Sequence, residues 1–139
     1  MSGEFSDAGA LKALEGVVGK TTLTATTTYL ALLTAAPGDT TTVAGLTEYG
    51  ATGYARVAPT WGSAALNGSN VPEISNSAAI TFGPFTAGTG AQITHCALVT
   101  SSSGTGGEVR AFWQLDTART PGTNDSLEFA IAGLKITCD

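Results

Sequence analysis

Apolar residues recur at helical spacing near the N-terminus of the chain. Ser6 begins this segment and Gly19 follows it, so a hydroxyl is available to cap the first turn and a glycine to end the last one. The apolar positions between them are Leu11, Leu14 and Val18. This pattern predicts a short amphipathic helix over about residues 6–18, and its apolar side needs another element to lie on.

Farther along the chain, apolar positions alternate with a period of two, which is typical of β-strands. Residues 27–34 are apolar on both faces and are ended by a turn at 37–39, so they predict a strand in the middle of a packed layer. The segments 39–53 and 62–76 are polar and lack a sustained period, which favours loops. The other predicted strands are 54–61, 77–82, 92–100 and 108–116.

The last two of these strands form a predicted hairpin, and one more strand follows it. The runs QITHCALVT and EVRAFWQLD are joined by SSSGTGG, a glycine-rich stretch that favours a flexible tip. In the second run, the residues expected to share one face are Val109, Ala111, Trp113 and Leu115. Residues 125–139 predict a closing strand that is interrupted by a bulge at Gly133. Its residues on one face are Leu127, Phe129 and Ile131.

Together these elements predict a single, mainly β domain over residues 1–139. One short N-terminal helix and about six strands joined by turns are typical of an antiparallel β-sandwich, here of a jelly-roll-like kind. A chain of 139 residues buries roughly two thirds of the surface that its unfolded form exposes, so a core can form without disulfides or metal.

The amino-acid composition argues against some classes of binding partner. Only 12% of the residues are charged and 18 are glycine, so Thr, Ser, Gly and Ala must cover much of the surface. The net charge of −5 and the scattered basic residues argue against binding to nucleic-acid phosphates. No apolar run approaches the roughly 20 residues that span a bilayer, and MSGEFSDAG lacks the features of a secretion signal. We therefore expect neither a nucleic-acid nor a membrane partner.

Residues that commonly serve catalysis or metal binding are few and dispersed. His95 lies in an apolar strand with no identifiable nucleophile or metal ligand beside it, so we interpret it as structural. The 11 acidic residues form no paired or calcium-binding motif. We expect no catalytic residue, no cofactor and no metal site. Cys96 is interpreted as a small buried apolar residue, and a disulfide between it and Cys138 stays open.

The stretch GYARVAPTWG, residues 53–62, places an arginine between two aromatic residues in a chain that is poor in charge. Arg56 can stack on a ring and donate to a carboxylate or carbonyl, which would lock one edge of the sheet. The alternative is an outward-pointing arginine with a partly buried stem. We assign Tyr54, Arg56 and Trp61 chiefly to bracing the fold, with contact at an interface as the second interpretation.

Several short segments of the sequence resemble those of a known protein family. In chain order they are YLALLTAAPGD, GYARVAPTWG, ISNSAAITFGPF and the segment from ITHCALVT to the end. They resemble small virion proteins of tailed bacteriophages that are labelled tail fibre or minor capsid proteins, and the resemblance covers nearly the whole chain. The positions that fit are 29–34, 53–56, 76–82 and 94–95. The chain departs from the pattern at 95–97 and 118–121, which affects the partner surface rather than the fold.

The resemblance implies a non-enzymatic structural component of a virion and supplies no active-site residues. The short chain favours a capsid decoration, or minor capsid, protein, because a tail fibre usually has a long repetitive shaft. We expect such a protein, made in the bacterial cytoplasm, to bind the outer surface of the major capsid protein lattice as a homotrimer and to reinforce the shell. The alternative is a small tail or tail-fibre-associated protein with a receptor- or carbohydrate-contacting role.

Two other classes of function are also open at this point. A carbohydrate-binding module would use Tyr54, Trp61 or Trp113 as stacking platforms, which would then be exposed in a shallow groove. A hydrolase would need an acidic pair that only the fold brings together, in a deep pocket.

Overall fold

The structure is a computed structural model and describes residues 1–138 of the chain. Within these residues, one α-helix lies near the N-terminus, a short 3-10 helix spans Val43–Gly45, and strands make up most of the remaining regular structure. The elements, in chain order, are β1 (Ser2–Phe5), α1 (Asp7–Val17), β2 (Tyr29–Leu33), β3 (Ala65–Leu66), β4 (Pro72–Ser75), β5 (Ile80–Phe82), β6 (Ile93–Val99), β7 (Val109–Arg119), β8 (Leu127–Phe129) and β9 (Lys135–Thr137).

The strands form two sheets. A seven-stranded sheet has the order β2-β6-β7-β1-β9-β4-β3, and β5 pairs with β8 in a separate two-stranded sheet. The predicted β-sandwich with one N-terminal helix is therefore confirmed at the level of fold class. The purely antiparallel arrangement is wrong, because β1 runs parallel to β9, with Ser2 opposite Lys135. Strand β1 was not predicted, because its four residues carry no alternating apolar pattern.

The seven-stranded sheet has an apolar core on each face. Leu30 and Leu32 of β2 belong to the larger core, which also contains Trp113 and the side chains of the two-stranded sheet. Ala31 and Leu33, which point to the opposite face, belong to the smaller core. All four β2 residues are fully buried, as the two-sided apolar pattern predicts.

Strand β2 lies at the end of the sheet, so its predicted position in the middle of a layer is wrong. It pairs with β6 along one side. Its other side is covered by single bridges from Leu30 to Val57 and from Leu33 to Glu48. Covering a sheet edge with irregular chain satisfies its backbone groups without adding a strand. Part of the predicted loop at residues 39–53 is therefore buried in the protein, and its Tyr49 is 1% exposed.

The β6–β7 hairpin is confirmed, with one change in side-chain direction. Leu98 pairs with Ala111, whereas Val99 pairs with Val109, so Arg110 is an extra residue in β7. Such a bulge reverses the direction of the side chains that follow it. As predicted, Ala111 and Trp113 line the larger core, but Val109 lies in the smaller core on the other face.

The bulge provides the attachment point for the helix. The carbonyl of Arg110 accepts a hydrogen bond from the backbone N–H of Ser6 at 3.1 Å. The Ser6 hydroxyl donates to the carbonyl of Val109 and accepts from the N–H of Gly9 at 3.2 Å. Ser6 is therefore the N-cap, as predicted, and Gly19 ends the helix with a φ of +70°.

Two predicted strands are wrong. Residues 54–61 form no strand, because Val57 and Trp61 each make only an isolated bridge. Residues 125–139 do not form one strand, because the chain turns at Ala132, with φ +58°, and passes from the small sheet into the large one. Ile131 lies in this turn and is 64% exposed. The last residue of the predicted strand, Asp139, lies outside the described residues.

Other strand boundaries also differ. The predicted strand at 77–82 is confirmed only at β5, and the segment 62–76 contains the β3–β4 hairpin instead of a continuous loop.

The turn before β9 is held by the buried amide of Asn76, which accepts from the N–H of Leu134 at 2.9 Å and donates to the carbonyl of Ala130 at 2.8 Å. A turn that is held by a distant side chain cannot be predicted from the apolar pattern of the residues around it.

Substituting Gly9 tests how closely the helix approaches the sheet. A Cβ at this position would lie 2.1 Å from the carbonyl oxygen of Arg110. Ala is normally favoured over Gly inside a helix by about 1 kcal/mol. We nevertheless expect Gly9→Ala to lower the free energy of unfolding by roughly 1–3 kcal/mol in urea titrations, because the helix must move away from β7.

The matched control lies in the same helix. The three heavy atoms nearest to a Cβ at Gly16 all belong to the side chain of Leu23, which is 60% exposed and free to move aside. We expect Gly16→Ala to be neutral or stabilising by up to about 1 kcal/mol. Equal destabilisation by both substitutions would contradict a specific contact at Gly9.

Candidate functional site

Residues suited to metal binding or covalent catalysis do not converge in the described part of the chain. Among residues 1–138, no three His, Cys, Asp or Glu side chains are placed to hold a metal ion. Cys96 and Cys138 are both free, and burial raises the pKa of the Cys96 thiol. His95 makes a local contact of 2.9 Å between its Nδ1 and the Thr94 hydroxyl. Within the same residues, no helix has the length and apolar character to cross a bilayer.

The densest polar contacts surround Arg56, whose side chain is 4% exposed. Its guanidinium binds the Glu48 carboxylate through two parallel hydrogen bonds, Nε to Oε1 at 2.9 Å and Nη2 to Oε2 at 2.7 Å. The Tyr54 hydroxyl donates to the same Oε1 at 2.5 Å and accepts from the N–H of Leu32 at 3.0 Å. We call Glu48, Tyr54 and Arg56 the clamp. It joins the irregular chain at 48–56 to strand β2.

The clamp also holds the hairpin tip, which we define as residues 100–108 between β6 and β7. Arg56 Nη1 donates to the carbonyl of Ser101 at 3.0 Å and to its hydroxyl at 2.9 Å. Arg56 Nη2 donates to the carbonyl of Gly104 at 2.9 Å. The Ser101 hydroxyl in turn donates to the carbonyl of Gly106 at 2.6 Å. The composition of this glycine-rich tip predicts flexibility, but hydrogen bonds hold it at Ser101, Gly104 and Gly106.

The electrostatics of the clamp favour a charged carboxylate beside a neutral phenol. Burial raises the pKa of Glu48, but hydrogen bonds from Arg56 and Tyr54 and the charge of Arg56 outweigh it, so the pKa lies below its usual value. Burial and the hydrogen bond to Glu48 raise the pKa of Tyr54. The hydrogen bond with Glu48 raises the pKa of Arg56. The ion pair thus persists across physiological pH with Tyr54 as a hydrogen-bond donor.

The three residues singled out from the sequence occupy two places. Tyr54 and Arg56 belong to the clamp, and the Tyr54 ring also stacks on Phe82, with centroids 6.1 Å apart. Trp61 lies apart from the clamp and stacks on Trp113, with centroids 6.3 Å apart. Glu48 was not identified from the sequence, because it lies in a loop segment without periodicity. Its position as a charged residue in a largely uncharged loop is the one signal that could have indicated it.

The aromatic residues considered as carbohydrate platforms pack against other rings. Trp113 is 1% exposed and its indole N–H donates to the carbonyl of Lys135 at 2.8 Å. Tyr54 and Trp61 are half-buried, each with a neighbouring ring stacked on it. These three residues therefore do not form a broad exposed aromatic surface on which a sugar ring could stack. The two clefts lined by residues 116–130 are open to solvent. Acidic side chains line both of them, and Arg119 lies beside these acidic groups in each.

The chain matches a known protein family over nearly its whole length. A family model with the description "Podophage GP4 fiber I protein gp80" matches residues 4–137. The matched range includes α1, the clamp, the hairpin tip and every strand apart from the first two residues of β1. No curated protein matches the chain.

Removing the Arg56 side chain tests the clamp. Arg56→Ala deletes five donated hydrogen bonds and leaves the partly buried Glu48 carboxylate without its partner. We expect a loss of roughly 3 kcal/mol in the free energy of unfolding, at the lower end of the effect for buried pairs because Glu48 is 25% exposed. Hydrogen exchange at the hairpin tip should also become faster.

The control is the ion pair between Arg110 and Glu108, whose side chains are 20% and 49% exposed. We expect Arg110→Ala to lower the free energy of unfolding by less than about 1 kcal/mol. If Arg56→Ala were as mild as Arg110→Ala, the clamp would not stabilise the fold.

The lowered pKa of Glu48 makes part of the stability dependent on pH. Because the folded pKa of Glu48 lies below the ordinary value of 4.5, this contribution is present above about pH 4.5 and is lost as pH falls through the folded pKa. We expect wild type to exceed Glu48→Gln in unfolding free energy near neutral pH, and the difference to shrink as the pH falls below 4.5. Urea titrations at several pH values measure it. A difference that stays constant would contradict the assignment.

Proposed function

The chain belongs to the family described as Podophage GP4 fiber I protein gp80, and we propose that it is a non-enzymatic structural component of a podophage fibre. The observation that carries the proposal is the match over residues 4–137, nearly the whole chain. Membership in this family makes it a virion structural protein of a tailed phage. The mainly β fold and the low share of charged residues, 12%, are compatible with a structural role.

The family description favours the fibre interpretation over capsid decoration. Decoration was expected because a short chain lacks the long shaft of many fibres. That argument is weakened by the match of residues 4–137 to a family described as a fibre protein. Binding to the major capsid protein lattice therefore becomes the second interpretation.

We propose that the hairpin tip is the surface through which the fibre component contacts a host receptor. Ser102, Ser103 and Thr105 are exposed there, together with glycine peptide groups. Hydroxyl and peptide groups both donate and accept hydrogen bonds, which suits a polyhydroxylated ligand such as a surface carbohydrate. Because Arg56 already fixes the tip, less conformational entropy is lost on binding. The clamp would then serve binding as well as stability.

Placement of the protein in the phage particle tests the proposal. Antibody fragments against the hairpin tip, coupled to gold, should label fibres in electron micrographs of purified particles. The uncoupled fragments should reduce adsorption to host cells. Quantitative mass spectrometry of the same particles should give a number of copies that is small relative to the major capsid protein.

Fragments against the major capsid protein are the control, because they should label the shell and leave adsorption unchanged. Gold distributed over the shell, with hundreds of copies per particle, would replace the fibre proposal with capsid decoration. Fibre labelling without any effect on adsorption would retain the fibre role and reject the receptor contact at the tip.

A further inference from the structure

The fold brings together two basic residues that are far apart in the sequence. Lys12 lies in α1 and Arg110 is the extra residue of β7, and both line one open cleft with a volume of about 280 Å³. The other residues that line it are Thr22, Leu23, Thr24, Thr26, Thr28 and Thr100. We call these eight residues the basic cleft. In a chain with six basic residues and a net charge of −5, two of the six therefore share one cleft.

The orientation of α1 places Lys12 at this cleft. Gly9 faces β7 and is buried, whereas Leu11 is 62% exposed and Leu14 is 65% exposed. The expectation that the apolar side of the helix lies on another element is therefore wrong within the described residues. Lys12 is half-buried instead, because it lies beside Arg110 of β7 and the irregular segment 22–28.

The two cations of the cleft have hydrogen-bonding capacity to spare. Within residues 1–138, Lys12 Nζ forms no ion pair. Arg110 has five N–H donors, and its ion pair is a single contact of 2.7 Å between Nη2 and Glu108 Oε2. Because Lys12 is half-buried and has no carboxylate partner, an anion in the cleft meets a cation that has already lost part of its water.

Threonine hydroxyls form most of the remaining polar lining. Thr22, Thr24, Thr26 and Thr28 occupy every second position of the segment 22–28, and this alternation directs all four side chains to the same cleft. A hydroxyl group both donates and accepts hydrogen bonds. A row of hydroxyls beside two cations can therefore bind a ligand that carries hydroxyl groups as well as a negative charge.

We propose that the basic cleft binds an acidic sugar, with the carboxylate or phosphate of the sugar at Lys12 and Arg110 and its hydroxyl groups at the threonines. Charged donors form stronger hydrogen bonds with an anion than with a neutral group, so the anionic group supplies most of the selectivity. The volume lies just below the usual range for small-molecule sites, about 300–1,000 Å³, which suits one sugar unit of a longer polymer. The net negative charge of the chain opposes binding of the same polymer elsewhere on the surface.

The basic cleft adjoins the hairpin tip. Thr100, the first residue of the tip, lines the cleft, and Glu108, the last residue of the tip, pairs with Arg110. The inference therefore rests on the proposed function for its biological setting, and it names the chemical class of the receptor carbohydrate. The anionic group of the ligand competes with Glu108 for Arg110, so Lys12 contributes more to the affinity.

Nuclear magnetic resonance titrations of the purified chain test this inference. Glucuronate carries a carboxylate, phosphorylated glucose carries a phosphate, and glucose carries neither. We expect at least one of the two acidic sugars to shift the backbone amide signals of residues 22–28 in a saturable way, whereas glucose does not. A response to glucuronate alone identifies a carboxylate ligand, and a response to phosphorylated glucose alone identifies a phosphate ligand. If neither acidic sugar gives a saturable shift, the proposal is overturned.

The cation in the cleft is tested with a matched pair of variants. Lys12→Gln should weaken binding of the responding acidic sugar roughly tenfold, the usual effect of one hydrogen bond to a charged group. Lys20→Gln removes the same charge, but Lys20 is 70% exposed, pairs with Glu15 and does not line the cleft. We expect it to leave the affinity unchanged, and the thermal midpoints of both variants to stay close to that of wild type. Equal weakening by both variants would reject a specific site.

Small anions separate a sugar site from a site for any anion. Acetate and inorganic phosphate carry the same charged groups without the sugar hydroxyls. We expect each to bind at least roughly tenfold more weakly than the responding acidic sugar, because the threonine hydroxyls then gain no partner. Equal affinity would overturn the sugar as ligand.

The titrations and the placement of the protein in the particle can fail independently. A protein that labels the fibre but binds no acidic sugar overturns this inference and leaves the proposed function standing. A protein that binds acidic sugar but labels the shell retains the cleft as a binding site and overturns the fibre role.

Discussion

A guanidinium that has lost its water must donate its hydrogen bonds to protein groups, and this requirement shapes one end of the molecule. Arg56 satisfies it by binding Glu48 on one side and the hairpin tip on the other, across a sequence separation of up to 48 residues. The irregular chain at 48–56 can then cover the edge of β2, and the tip adopts one conformation. Stability of the edge and order of the tip are therefore coupled through one side chain.

The β6–β7 hairpin has a comparable role for the helix. Its bulge at Arg110 places a backbone carbonyl where the N–H of Ser6 can reach it. The helix begins at this point, and the close contact at Gly9 sets which of its sides faces the sheet. The exposed stripe of Leu11 and Leu14 follows from this orientation. One extra residue in a strand thus determines which side of the helix is exposed to solvent.

The parts of the structure that sequence predicts well are those fixed by neighbouring residues. Ser6 and Gly19 delimit the helix, and strict alternation from Ala111 to Leu115 identifies a strand with one buried face. The parts that it misses depend on distant groups. Val57 meets β2 at a single bridge, and the turn before β9 depends on Asn76. At the candidate site, GYAR drew attention to Arg56, but its carboxylate partner could be identified only from the fold.

The parallel pairing of β1 and β9 has a mechanical consequence. These strands lie near opposite ends of the chain and are direct neighbours, with Ser2 opposite Lys135 and Gly3 opposite Ile136. Tension that pulls the two ends apart acts along both strands in opposite directions. Their hydrogen bonds are then loaded in shear and must yield together, instead of opening one after another like a zipper. A subunit stretched along its length would resist unravelling at the place where its first and last strands meet.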